Sequence, residues 1–187
     1  MMNLYDLACH LDRLSPGRLI VCLDGSSGAG KTTASRILVD YLRCLRGFVH
    51  LVHMDDFYPG WEGLEKASEL LPLLISSPHP SYQHWDWARN CPSDRVFLDP
   101  HSDLFIEGCG AITTSSASLS TCSIWMQADE KIRKERALKR DGKTYAPYWT
   151  IWADQEKAHR ERHRPDLLAD IVIDTSDGVK ITFPKKR

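Results

Sequence analysis

No stretch of this sequence holds the roughly 20 consecutive apolar residues that a bilayer-spanning helix needs, so a chain that does not cross a membrane is expected. An excess of either charge is also missing. Lys and Arg number 24 against 25 Asp and Glu, a net charge of −1, which removes any general pull toward nucleic acid or anionic lipid. The six cysteines, Cys9, Cys22, Cys44, Cys91, Cys109 and Cys122, form no C-x-x-C pair, and no histidine cluster has zinc spacing. They read as reduced thiols of a cytoplasmic protein, with Cys22 and Cys122 buried as small hydrophobes inside strand-like runs. Residues 1–15 lack the uninterrupted apolar core of a secretion signal: Leu4, Leu7, Ala8, Leu11 and Leu14 recur at helical spacing between charges, an amphipathic helix. Repeats and low-complexity tracts are absent apart from a Ser/Thr-rich segment, 113–123, which reads as a surface helix and connection. Lys185-Lys186-Arg187 reads as a solvated tail.

What is present is one polyanion-binding signature. Gly25-Ser26-Ser27-Gly28-Ala29-Gly30-Lys31-Thr32 fits G-x-x-x-x-G-K-[ST], directly after the apolar run Leu19 to Leu23 and directly before a helix-like stretch. Glycines let the backbone wrap an oxyanion with its N–H groups inward, and the following helix adds its positive dipole end. Lys31 is expected at the β- and γ-phosphates and the Thr32 hydroxyl on Mg²⁺. An ordinary strand-to-helix turn would need neither side chain.

With 187 residues, 42% hydrophobic and 26% charged, the chain is long enough for one core and too short for two ordinary enzyme domains, so a single domain, 1–187, is expected. Strand-like runs at 48–54, 103–107, 122–126 and 171–173 alternate with helical patterns at 33–45, 129–140 and 147–163. On the helix at 33–45, Ile37, Leu38, Tyr41, Leu42 and Leu45 share one face. A partly helical segment, 63–75, should bend or end at Pro72, and 76–100, dense in Pro, His and Trp, reads as an irregular excursion. Strands separated by helices imply right-handed crossovers. The predicted fold is therefore α/β: a P-loop NTPase, three-layer α/β/α, with a mostly parallel central sheet and helices on both faces. Ligands of such sheets sit beyond the strands' carboxyl ends, where Asp24, Asp55, Asp56 and Glu107 all fall.

Taken together, Gly25 to Thr32, His53-Met54-Asp55-Asp56-Phe57-Tyr58, Leu104-Phe105-Ile106-Glu107-Gly108, and Arg133, Arg136 and Arg140 resemble the uridine kinase branch of the P-loop small-molecule kinases, to which pantothenate kinase and phosphoribulokinase are related. The resemblance covers most of the chain, and its specificity falls from the phosphate loop, through the two acidic motifs, to the arginine helix. It implies a helical lid over about 129–165, ATP and Mg²⁺ as cofactors, and a base at Asp55, with Asp56 as the alternative. A pair of carboxylates that merely cap the next turn is the structural counterpart. It also implies that Glu107 holds Mg²⁺ with Thr32; a solvent-facing strand end is the alternative. Arg133, Arg136 and Arg140, on one helical face, would clamp the transferring phosphoryl group, unless that face is only solvated.

The expected nucleotide contacts are thus Gly25, Ser26, Ser27, Gly28, Ala29, Gly30, Lys31, Thr32, Thr33 and Arg133, and the expected catalytic groups Asp55, Lys31, Arg136 and Arg140. The segment His79 to Trp87 departs from the uridine kinase pattern. Within it Tyr82, His84 and Asp86, with Asp56 and Tyr58, are candidate substrate contacts, and Trp85 and Trp87 either wall an acceptor or pack internally. Tyr145 to Trp152 is aromatic and unlike the uridine kinase lid; Arg160, Arg162 and Arg164 beyond it face either a nucleotide or the carboxylates Glu156 and Glu161. The expected activity is ATP- and Mg²⁺-dependent transfer of the γ-phosphate to a hydroxyl of a small metabolite, a nucleoside first. The other reading is a regulatory NTPase without an acceptor, against which stand the missing D-x-x-G and N-K-x-D segments. Partners are then a small-molecule acceptor, without nucleic acid or membrane, and self-association into a homo-oligomer is left open.

Overall fold

The computed structural model describes residues 2–184, and within them every side chain except those of Asp141, Lys143, Thr144 and Tyr145. The solvated tail expected at 185–187 and the side chain of Tyr145 fall outside that description.

Five buried residues, Ile20–Asp24, form β1, the centre of the fold. Because strand side chains alternate, Val21 and Leu23 enter one core while Ile20 and Cys22 enter the other. The same alternation divides β5 (Asp103–Glu107), where Phe105 faces one way and Leu104 and Ile106 the other. It also divides β6 (Cys122–Gln127), where Ile124 and Trp125 part company. With β2 (Val49–His53), β7 (Ile171–Asp174) and β8 (Lys180–Thr182) they make a six-stranded sheet, β2-β5-β1-β6-β7-β8. Only β8 runs antiparallel to its neighbour. The sequence pattern does not predict that edge strand; it has three residues, none fully buried, and so leaves little hydrophobic periodicity.

One face of the sheet is covered by α1 (Leu4–Leu14) and α2 (Lys31–Arg46), which bury Leu7, Leu11, Leu38, Val39 and Leu42 against Val21, Phe105 and Ile124. The face of α2 differs from the expected one. Leu38 and Leu42 are buried with Ala34 and Val39, whereas Ile37, Tyr41 and Leu45 are about two-fifths exposed, and Tyr41 meets Tyr5 of α1 edge-on. The other face is covered by α3 (Leu64–Ser76) and α4 (Thr114–Leu119). α3 passes through Pro72 without ending, because Leu71, Leu74 and Ile75 on either side of it are buried.

Residues 76–100, expected to be irregular, contain an antiparallel hairpin, β3 (Ser81–Asp86) with β4 (Cys91–Phe97). Its residues are mostly half-buried or exposed, so no alternation of apolar and polar positions betrays it, and its register shifts between Gln83 and Trp85. Past β6 come α5 (Glu130–Tyr145), which leaves helical geometry at Gly142, a 3₁₀ turn at Ala146–Tyr148, α6 (Trp149–His163) and the short α7 (Pro165–Leu168). Among the described residues no helix is long and apolar enough to cross a membrane.

The facing of α2 is testable. Leu38→Ala is expected to lower unfolding free energy by about 2–5 kcal/mol, because it opens a cavity in a closed core. Tyr41→Ala should cost no more than about 1.5 kcal/mol, the scale of one aromatic pair. Urea denaturation of both variants checks the ranking, and equal losses would contradict it.

Candidate active site

The loop from Gly25 to Gly30 joins the carboxyl end of β1 to the first turn of α2. Its path needs glycine at Gly28, where φ is +80° and a Cβ would overlap the backbone carbonyl of Arg133. The Lys31 ammonium lies 2.7 Å from the Gly25 carbonyl and 3.4 Å from both the Ser26 carbonyl and the Cys109 thiol. Burial works against its charge, but Cys109, Glu107, Glu156 and Asp55 outweigh that and hold its pKa above the ordinary lysine value.

Parallel pairing brings the ends of β1, β2 and β5 to one edge: Leu23 stands opposite Glu107, and Glu107 opposite His53. Glu107 Oε1 accepts from the Thr32 hydroxyl at 3.0 Å and contacts His53 Nδ1 at 2.6 Å. Its burial alone would raise the pKa; the bond from His53, the charge of Lys31 and the bond from Thr32 more than compensate and lower it. His53 is shifted up, chiefly by its bond to Glu107. Thr32 and Glu107, the pair expected at the metal, are therefore in contact, and His53, inside the His53 to Tyr58 motif but unassigned, is the group that orients Glu107. Among the described residues no group of three or more His, Cys, Asp or Glu forms a metal cluster.

The two aspartates after β2 separate. Asp55 lines a cavity of about 770 Å³ together with Lys31, Thr32, Thr33, Glu107 and Arg140. Enclosure by protein atoms and the Glu107 charge raise its pKa, against the opposing pull of Lys31, Arg140 and His53. Because the cavity is open to solvent and Asp55 is exposed within it, water moderates that rise. Asp56 lies outside the cavity lining; it bonds to Tyr82 and stands 3.7 Å from His84.

The candidate substrate contacts also divide. Tyr58 lines the cavity and donates to the Cys109 carbonyl at 2.7 Å. Tyr82 is buried against Phe57, His84 faces Asp56, and Asp86 caps its own turn by accepting from Ala88 and Arg89 N–H at 2.9 Å. None of those three lines the cavity. Of the expected aromatic wall Trp87 lines the cavity and Trp85 does not; Trp61, Tyr148 and Trp152 join Trp87, with Trp61 stacked on Tyr148 at 4.4 Å and 6° and Trp87 meeting Trp61 at 4.8 Å. Trp61 carries no sequence signal, being separated from the recognised motif by Pro59 and Gly60.

The three arginines of α5 do not act as one clamp. Arg133 donates to the Ser27 carbonyl at 3.1 Å and Arg136 to Thr175 at 3.0 and 3.1 Å, both bracing neighbouring segments, while Arg140 lines the cavity. Arg160 and Arg164 pair with Asp166, and Arg162 pairs with Glu65, so their partners are not Glu156 and Glu161. Glu156 instead accepts from the Ser27 N–H.

No family model matches the chain. A cytidylate kinase from Pyrococcus furiosus is 27% identical over 176 residues, covering 87% of this chain and 85% of the relative. Two solved structures share the fold: a candidate fructose transport system kinase from Silicibacter sp. TM1040 and a possible uridine kinase from Bacillus stearothermophilus. The first has a TM-score of 0.60 at 20% identity, covering 89% of this chain and 92% of its own. The second has a TM-score of 0.63 at 21% identity, covering 90% and 96%. By its mostly parallel sheet, its helices on both faces and these structural relatives, the chain has the fold of the P-loop kinases, uridine kinase-like kinases among them.

Proposed function

We propose that this protein is a phosphotransferase that moves the γ-phosphate of ATP, with Mg²⁺, to a hydroxyl of a small acceptor, a nucleoside first. The observation that carries the reading is one cavity of about 770 Å³ lined both by Lys31, Thr32, Glu107 and Asp55 and by the aromatic side chains of Tyr58, Trp61, Trp87, Tyr148 and Trp152. A triphosphate tail and a flat acceptor fit such a lining. The nucleotide-binding kinases among the relatives support the same class.

Thr32 and Glu107 fit a divalent cation, since both present hard oxygen donors, 3.0 Å apart, and magnesium needs only one or two protein ligands besides phosphate oxygens. Such an ion would neutralise charge on the transferring phosphoryl group. In the transfer, the acceptor oxygen bonds to the γ-phosphorus, the bond to the β,γ-bridging oxygen breaks, and Asp55 takes the hydroxyl proton. A raised pKa suits Asp55 to that task, because a better base holds a proton more readily. Lys31 and Arg140 balance the negative charge that gathers on the phosphate oxygens. An acceptor seated against the aromatic side chains would displace water from the cavity and so protect the donor from hydrolysis. The free state of all six cysteines supports a reducing, cytoplasmic setting.

Asp55→Asn is expected to lower turnover by about 100-fold or more, the scale of a lost general base, with little change in ATP affinity. Asp56→Asn should mainly affect stability, and comparable losses of turnover in both would remove the assignment. Lys31→Ala is expected to impair ATP binding and turnover together, read by calorimetry and steady-state kinetics. A screen of nucleosides, pantothenate and sugars with ATP and Mg²⁺, read by product mass, tests the acceptor. Phosphate release that no acceptor stimulates would favour the regulatory NTPase instead.

A further inference from the structure

We propose that Glu156 of α6 is a positioning residue that fixes the first half of the phosphate loop through the Ser27 N–H, so that α6 belongs to the stationary wall of the site. This rests on reading the loop as a triphosphate cradle.

Between β1 and Gly28 the backbone has no strand or helix ladder to hold it; Ala29 N–H closes one turn onto the Ser26 carbonyl at 3.1 Å. Both backbone polar groups of Ser27 are held by side chains from residues 129–165. Its N–H donates to Glu156 Oε1 at 2.7 Å, and its carbonyl accepts from Arg133 at 3.1 Å. Arg133 in turn stands 3.8 Å from Glu156 Oε2, and the Cys109 thiol lies 3.3 Å from Oε1. The Glu156 side chain is only 10% exposed. A carboxylate so withdrawn from water is costly unless partners replace the water, and the Ser27 amide with Arg133 does so.

One helical turn later His159 Nε2 lies 3.3 Å from Asp24 Oδ2, both side chains buried, and Asp24 also accepts the Gly25 N–H at 2.6 Å. α6 thus reaches both ends of the segment Gly25 to Ser27. Its apolar anchorage is thin, its buried residues being Trp152 and His159. It docks by polar contacts instead: Gln155 donates to the Trp61 carbonyl at 2.6 Å and accepts from the Leu64 N–H at 3.2 Å, and Arg162 pairs with Glu65. Residues 155, 156, 159 and 162 share one face, so the helix is built to grip the loop and its surroundings.

The test compares Glu156→Ala, Glu156→Gln and the exposed Glu161→Gln for ATP–Mg²⁺ affinity by calorimetry and for amide hydrogen exchange at Ser27. Glu156→Ala strips the acceptor from a buried N–H, so the dissociation constant should rise about ten-fold or more, with faster exchange at Ser27 in the absence of ATP. Glu156→Gln keeps an acceptor and should stay within about three-fold of wild type with near-normal exchange, and Glu161→Gln should change neither. Unchanged exchange in Glu156→Ala, or tighter ATP binding in both Glu156 variants, would overturn the proposal; the latter would make Glu156 a competitor of phosphate. A wild-type protein that binds no ATP would sink the phosphotransferase reading, whereas faster Ser27 exchange in Glu156→Ala would still support the pin.

Discussion

One buried carboxylate, that of Asp24, ties together everything that has to meet at the end of the central strand. Its Oδ1 accepts from Gly25 N–H, the first residue of the phosphate loop, and from Gly110 N–H; its Oδ2 accepts from Ile112 N–H and faces His159. A charge with 1% exposure is tolerable only when several donors replace water, and here they come from three separated parts of the chain. The loop, the segment after β5 and α6 are thereby held at fixed mutual distances, which a site for phosphoryl transfer needs.

The four acids at this edge perform different tasks although they look alike in the sequence. Asp24 serves the structure, Glu107 sits between Thr32 and His53, Asp55 opens onto the cavity, and Asp56 is tied to Tyr82 and His84. Neighbours make the difference. Asp55 and Asp56 share a 3₁₀ turn, so their side chains leave the backbone in different directions, one toward Lys31 and one under the β3–β4 hairpin.

The aromatic residues show the same separation of composition from role. Tyr82 fills the core beside Phe57, whereas Trp87, the residue that follows β3, reaches the cavity with its indole N–H on the Asp55 carbonyl at 2.8 Å. Trp61 and Tyr148 come from distant parts of the chain and stack where Gln155 of α6 bonds to the Trp61 carbonyl and the Leu64 N–H. A cavity lining assembled this way is a property of docking, not of any local motif.

The sequence by itself determined the phosphate loop, the alternation of strands and helices and the edge of the sheet at which the acids gather. Those features are local or periodic: glycines at fixed offsets beside a lysine, apolar residues at spacings of two or of three and four. Tertiary structure alone decided which aspartate faces the cavity, that the α5 arginines divide between bracing and lining, that a hairpin occupies 81–97, and that Glu156 meets the Ser27 N–H while His159 meets Asp24. The last of these joins residues as much as 135 positions apart, and side-chain direction across such distances is set by packing, which no spacing along the chain encodes.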